Sequence, residues 1–342
     1  MSQRKRVFSG IQPTAVMTIG NYFGAVENWV RLQDEYECTY CVVDLHAMTR
    51  PYEPEELRAS TRDMFVSLLA AGLDPDRCTV FVQSTVPEHT ELCWVLVALA
   101  SLGDLSRMTQ FKEKSGNLEG VADDDSPEGE FVSSGLLFYP VLQAADILAH
   151  RAHYVPVGQD QAQHLELSRG LARRFNTRFG EVFPEPETLV TQVPKVLSTA
   201  DPTKKMSKSL GEKHYIGLFE EEDSVRQKIR SAVTDSGDTP DGEVSPGIDN
   251  LLTLLKACGR ADVAERMLAD YMGGTLRYVD LKGEAADALV ELTSSMRARR
   301  DEILRQETDL DGRIFDMAAK ARSMASETLA LVREKAGFTI RR

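Results

Sequence analysis

The sequence lacks any run approaching the roughly 18 consecutive apolar residues that a membrane span requires, and the start Met-Ser-Gln-Arg-Lys-Arg is not followed by an apolar segment of signal-peptide type. A soluble protein that stays in the cytoplasm, with no membrane partner, is the expectation. Cysteine is scarce: five residues, an odd number, scattered through 342. That excludes a disulfide framework and suits a reducing compartment. Cys38 and Cys41 form a C-x-x-C pair at the edge of the strand-like run Thr39-Tyr-Cys-Val-Val-Asp44, but no second ligand pair follows at zinc-ribbon spacing. Structural cysteines and no protein-held metal are expected. Positive charge is in deficit, 40 Lys and Arg against 53 Asp and Glu for a net −13, which argues against a protein that coats DNA or other nucleic acid through its phosphates. Neither G-x-G-x-x-G nor G-x-x-x-x-G-K-[ST] occurs, so a nicotinamide dehydrogenase or a P-loop ATPase loses most of its support.

The 42% hydrophobic content over this length is enough for a sizeable core. Through the first two hundred residues, short apolar runs alternate with amphipathic stretches, as when parallel strands are joined by crossover helices. Arg6-Val-Phe-Ser9, Tyr40-Cys-Val-Val43, Thr79-Val-Phe-Val82 and Tyr154-Val-Pro-Val157 read as strands. Tyr22, Phe23, Val26, Trp29 and Val30 recur at helical spacing, as do Leu57, Met64, Leu68 and Leu69 behind the start signal Pro54-Glu-Glu56. The fold class predicted is α/β, a Rossmann-like doubly wound parallel sheet over 1–210, followed by an all-helical domain over 211–307. A C-terminal helix over 308–342, from about Leu310 to Lys335 with Gly337 as its stop, is expected to pack back on the first domain. From Asp311 to Arg342, seven basic residues stand against four acids, most simply a solvated helix face. Residues 118–130 hold six acids, two glycines, a proline and no basic residue, which reads as a surface loop.

Four elements carry chemistry. In an open α/β sheet, ligands bind beyond the carboxyl ends of the strands, where helix N-termini point N–H groups at anions. The first such turn is Gly10-Ile-Gln-Pro-Thr-Ala-Val-Met-Thr-Ile-Gly-Asn21, which offers Gln12, Thr14, Thr18 and Asn21 as hydrogen-bonding groups and Gly20 as a place of close backbone approach. Alone, such residues also suit a turn with no ligand. The second is Asp201-Pro-Thr-Lys-Lys-Met-Ser-Lys-Ser209, whose three lysines and two serines suit a polyphosphate or, equally, a solvated basic loop. The third is Tyr139-Pro-Val-Leu-Gln-Ala-Ala-Asp146, in which Tyr139, Gln143 and Asp146 share one helix face. The apolar neighbours Leu136, Leu137, Phe138, Leu142, Ile147 and Leu148 make a largely buried helix the expectation, and buried polar groups need partners. The fourth, Val157-Gly-Gln-Asp-Gln161, ends a strand at the same ligand edge. His164, one turn on, reads as a helix-surface histidine.

Thr18-Ile-Gly-Asn21 and Lys205-Met-Ser-Lys-Ser209 together resemble the paired signatures of class I aminoacyl-tRNA synthetases. The strings Phe8-Ser-Gly-Ile-Gln-Pro-Thr14, Met108-Thr-Gln-Phe-Lys-Glu-Lys114 and Ser231-Ala-Val-Thr-Asp-Ser236 resemble the bacterial tryptophanyl family over nearly the whole chain. The resemblance implies activation of L-tryptophan by ATP with Mg²⁺, transfer to the terminal ribose of tRNA(Trp), a homodimer, and an anticodon-binding helical domain. It implies catalytic roles for Lys205, Lys208, Thr18 and Asn21. It places ATP against Gln12, Pro13, Thr14, Gly20, Asn21, Gly158, Gln159, Asp160, Val196, Lys205, Met206, Ser207, Lys208 and Ser209. Tryptophan falls to Asp146, which would accept the indole N–H, to Tyr139 and Gln161 at the α-amino group, and to Gln143, Phe8, Val43, His46 and Val157 around the ring. Gln143 departs from the methionine common there, which makes the pocket more polar and favours a tyrosine specificity slightly. Gln159 replaces a common glutamate. Two rivals stand beside this reading: a synthetase-like binding protein that no longer charges tRNA, and another nucleotidyltransferase on the same fold.

Overall fold

The structure is a computed structural model that describes residues 4–13, 16–49, 51–108, 133–156, 162–190, 194–235, 239–240 and 242–338. Five strands, β1 (Arg6–Ile11), β2 (Glu37–Val42), β3 (Thr79–Val82), β4 (Tyr154–Pro156) and β5 (Glu187–Leu189), form one sheet in the order β3-β2-β1-β4-β5. All pairings are parallel, and β1 and β2 run in register from Arg6↔Glu37 to Ile11↔Val42. Strand order reverses between β1 and β4, which opens a crevice beyond their carboxyl ends. Four of the strands match the apolar runs read from sequence. β5 does not: its three residues are largely exposed and carry no alternating pattern, so only its pairing with β4 identifies it.

Successive strand residues face opposite sides of the sheet, and each side is apolar because helices cover both. Val7, Tyr40, Val42, Val80 and Val82 lie in one buried cluster, whereas Phe8, Cys41, Phe81 and Val155 lie in the other. Cys38 and Cys41, three positions apart on β2, are thereby sent to opposite faces and share no ligand site. Burial pushes the Cys38 thiol up to about 11 and raises that of Cys41 as well, so both are inert thiols of the core.

On the first face lie α1 (Ile19–Asn21), a π-helical turn over Tyr22–Val26, and α2 (Glu27–Leu32), where Trp29 stacks on Tyr40 at 4.8 Å and accepts the Tyr40 hydroxyl at its carbonyl. The short α3 (Asp44–Ala47) follows β2, and α4 (Pro54–Ala70) starts with proline in its first turn. The second face receives α5 (Glu88–Val97), α7 (Gly135–Ala149) and α8 (Ala162–Phe179), with the short α6 (Leu102–Ser106) against α7. The four later helices before the last, α9 (Glu222–Arg230), α10 (Pro246–Ala257), α11 (Ala261–Met272) and α12 (Tyr278–Gln306), continue the apolar cluster of the first face rather than forming one of their own. Gly247 sits where a Cβ would meet the carbonyl oxygens of Val233 and Thr234, so only glycine lets α10 approach that backbone.

The last helix, α13 (Leu310–Ala336), begins at Asp309, whose carboxylate accepts Gly312 N–H, and stops at Gly337 with φ +80°. Its stripe Ala318, Ala321, Ala325, Leu329 and Val332 is buried in the second cluster, and the alanines let the helix lie close against β3 and α5. Arg333 grips Glu91 of α5, and Arg62 of α4 grips Asp311. These pairs are exposed and mostly fix orientation. Among the described residues, no helix is long and apolar enough to cross a membrane.

Candidate active site at the carboxyl edge of the sheet

The turn after β1 is held by its own cap. Thr18 donates both its N–H, at 3.0 Å, and its hydroxyl, at 2.9 Å, to Asn21 Oδ1, and its Oγ1 accepts Asn21 N–H at 3.1 Å. This reciprocal arrangement satisfies donors that a helix start leaves open. It commits the buried Thr18 hydroxyl to the cap and leaves the Asn21 Nδ2 group as the donor that the cap does not use. Backbone bonds from Ile19 N to Ile216 O and from Leu218 N to Met17 O lace the turn to the segment beyond the basic loop. Gln12 is exposed and Pro13 half-buried.

The basic loop reaches this turn directly. Lys208 Nζ donates to Val16 O at 2.8 Å, and its partial burial draws the ammonium below the usual lysine pKa. Met206 is buried and packs over Gly20, where an added Cβ would meet the Met206 Cβ at 3.4 Å, an ordinary contact. Met206 N–H donates to Val196 O, and Lys205 is exposed beside Leu197 in a short antiparallel bridge. Ser207 and Ser209 join hydroxyls at 2.8 Å. The loop's base is clamped by Asn250 of α10, which accepts Leu197 N–H and donates to Leu197 O, and by His214, 2.9 Å from Ser198 Oγ. The position of the lysines therefore depends on a helix more than forty residues further along the chain.

On the other side of β1, Asp146 of α7 is 1% exposed. Its Oδ1 accepts Gln83 Nε2 at 2.7 Å and His89 Nδ1 at 2.8 Å, and its Oδ2 lies 2.8 Å from His46 Nε2. Burial alone would raise the carboxyl pKa; the hydrogen bonds and charge interactions from His46 and His89 outweigh it and bring it to about 2. An ionised carboxylate has about four acceptor positions. Among the described residues three are filled, and the fourth is on Oδ2. His46 meets the Tyr139 ring edge-on at 6.3 Å, and the Tyr139 hydroxyl, pushed up to about 12 by burial, lies 2.9 Å from His164 Nε2. Phe8 and Val43 are buried in the cluster around Asp146, while Gln143 is half-buried one turn before it.

The family model for class I tRNA synthetases (W and Y) matches residues 1–294. Tryptophan–tRNA ligase 2 of Streptomyces avermitilis is 46% identical over 343 aligned positions, covering 98% of both chains. The chain belongs to the tryptophanyl branch of the class I tRNA synthetases. The tryptophan–tRNA ligase of Clostridium tetani is 42% identical over 98% of this chain and 97% of its own. The structure of the tryptophanyl-tRNA synthetase of Campylobacter jejuni with ADP and tryptophan superposes with a TM-score of 0.81 at 32% identity, covering 97% of this chain and all of the other.

Met206 packs over Gly20 and bonds Val196, and Lys208 bonds the backbone just before the Thr18–Asn21 cap. Separately, Phe8 and Val43 share a buried cluster, and Asp146, His46 and Tyr139 are joined by a hydrogen bond and a ring contact. Thr14, Val157, Gly158, Gln159, Asp160 and Gln161 lie outside the described residues, as do residues 109–132 and Ser236. One expectation needs correction. His164 is 3% exposed and not on the surface, because α8 turns it inward onto Tyr139. The expectation of a largely buried α7 holds, with Leu136, Pro140, Val141 and the run from Ala144 to Ala149 buried and Phe138 exposed at 37%. Sequence reading passed over Gln83, His89 and His150, which line the inner side of Asp146. The spacing of Asp146 and His150, four apart on one helix face, is the signal that was there to read.

Proposed function

We infer that the chain is an ATP-dependent tryptophan–tRNA ligase, which first forms tryptophanyl-adenylate and pyrophosphate and then transfers the tryptophanyl group to tRNA. The observation that carries the reading is the buried, ionised Asp146 with one acceptor position left open among the described residues, on the same sheet edge as Lys208, in a chain 46% identical to a tryptophan–tRNA ligase. The indole N–H fits that acceptor. Phenylalanine would leave it unpaired, which permits discrimination on the order of ten-thousandfold without an editing site. Tyr139, which His164 holds in place, serves the α-amino group, with Gln161 as its partner. Phe8, Val43, His46, Gln143 and Val157 surround the ring.

ATP enters as its Mg²⁺ complex, a substrate. The tryptophan carboxylate supplies the nucleophile, so no protein nucleophile is required; its oxygen attacks the α-phosphorus in line and pyrophosphate departs. The chain contributes positioning and charge. Lys208 and Lys205 neutralise the departing pyrophosphate, and Asn21 reaches the phosphates through Nδ2 while Thr18 holds it through the cap. Gln12, Pro13, Thr14, Gly158, Gln159, Asp160, Val196, Ser207 and Ser209 complete the nucleotide site. The Campylobacter jejuni relative, captured with ADP and tryptophan, supports an adenine nucleotide and tryptophan as ligands of this fold. Acid-gel separation of tRNA(Trp) incubated with the chain, ATP and tryptophan should show an ATP-dependent shift. Adenylate formation without any shift would favour a nucleotidyltransferase that does not charge tRNA.

A homodimer in the cytoplasm completes the reading, with the helices after residue 211 meeting the anticodon. Trp94 (74% exposed) on α5, Leu102 (69%) on α6 and Phe138 (37%) on α7 stand on helices packed against α7 or on α7 itself, and these large exposed apolar side chains are the reading's candidate for the dimer interface. Trp94→Glu is expected to halve the mass seen by sedimentation velocity at micromolar concentration. An unchanged mass for a dimeric parent would place the interface elsewhere.

A further inference from the structure

Asp146 ends a chain of buried groups that adenylate formation does not itself use. His89, in the first turn of α5, is 0% exposed, and His150, just past the end of α7, is 1% exposed. His89 Nδ1 lies 2.8 Å from Asp146 Oδ1, and His89 Nε2 lies 2.9 Å from His150 Nε2. The His150 ring stacks on Phe8 at 5.3 Å with an interplanar angle of 11° and packs on Phe81 at 5.4 Å. His150 Nδ1 is buried with no hydrogen-bond partner among the described residues.

Hydrogen-bond accounting settles the protons. An ionised carboxylate only accepts, so His89 Nδ1 carries hydrogen. One proton lies between the two Nε2 atoms. Were it on His89, the remaining His150 proton would sit on Nδ1 with no acceptor among the described residues. With the proton on His150 Nε2, the unmet group is a bare lone pair, the cheaper defect. Burial, which holds the His150 imidazole well below its ordinary pKa, agrees. The result is a one-way donor chain, His150 to His89 to Asp146, that with Gln83 saturates Oδ1 and turns the last open lone pair onto Oδ2.

We propose that His150, acting through His89, is a positioning residue for ring recognition: it fixes the rotation of the Asp146 carboxylate so that one Oδ2 lone pair selects a ligand N–H donor. This rests on the reading of Asp146 as the acceptor for the indole. His150 itself meets Phe8, Phe81 and His89, and its effect on the ligand passes through the carboxylate.

The test compares tryptophan with β-(3-benzothienyl)alanine, in which sulfur replaces the indole N–H, in ATP–pyrophosphate exchange. The parent chain should favour tryptophan in kcat/KM by about a hundredfold or more. His150→Phe, which can stack between Phe8 and Phe81 but cannot donate, should shrink that ratio at least about tenfold, through a raised KM for tryptophan with kcat little changed. His150→Gln, with an amide donor for His89, should restore most of it. If His150→Phe does not fold, His89→Gln, which keeps a donor for Oδ1 and cuts the link to His150, carries the same expectation. A folded variant that keeps the parental ratio overturns the relay. A parental ratio near one overturns the reading of Asp146 and the relay with it.

Discussion

Replacing Lys208 with alanine is expected to slow tryptophanyl-adenylate formation by two or more orders of magnitude, about 2.7 kcal/mol of barrier at the lower bound, while tryptophan affinity stays within about threefold of the parent. The expectation follows from where the ammonium sits. It donates to Val16 O, two residues before the capped turn that presents Asn21, and it is partly withdrawn from water. A cation held there attracts charge that develops on a departing phosphate more strongly than one in bulk solvent, and it does so only as the bond breaks. Single-turnover adenylate formation checks the rate, and equilibrium dialysis of tryptophan checks the affinity. An unchanged rate would remove the basic loop from the chemistry. Lys205, exposed beside Leu197, is expected to matter less in the same assay.

The second large effect is at Asp146. Asp146→Ala should raise the KM for tryptophan by about a hundredfold and abolish most of the preference for tryptophan over phenylalanine, because the open Oδ2 position disappears. It should also destabilise the fold, since the donors of Gln83, His46 and His89 would face a hole, each unmet group costing about 1–3 kcal/mol. Asp146→Asn keeps the volume and separates the two effects. Thermal unfolding reports the stability, and pyrophosphate exchange with both amino acids reports the selectivity. A folded variant with normal discrimination against phenylalanine would refute the pocket role. The pH dependence has a definite sign: because the folded carboxyl pKa falls from 3.8 to about 2, the contribution of Asp146 to stability is complete above about pH 4 and is lost as pH falls toward 2.

Much of this was legible before any coordinates. Hydrophobic runs at β1 to β4 are long enough to announce themselves because both of their faces are covered, and Gly337 ends α13 as a left-handed cap where the periodicity stops. The shared face of Tyr139 and Asp146 follows from helical spacing alone. β5 was not legible, because a three-residue strand with exposed side chains is defined by its neighbour and not by its own composition. His164 was misread for a related reason: a histidine on an amphipathic helix looks solvated until the hydroxyl it meets, Tyr139 on another helix, is known. The packing of Met206 over Gly20 was not legible, since Met206 lies far off in sequence. The donors around Asp146 come from α3, from the segment after β3 and from α5, so only the parallel sheet order brings them together.

ATP–pyrophosphate exchange with tryptophan and tyrosine, presented separately at equal concentration, tests the assignment most directly. Tryptophan is expected to drive exchange at least about a hundredfold faster than tyrosine. Equal rates with the two amino acids, or no exchange with tryptophan, would contradict it.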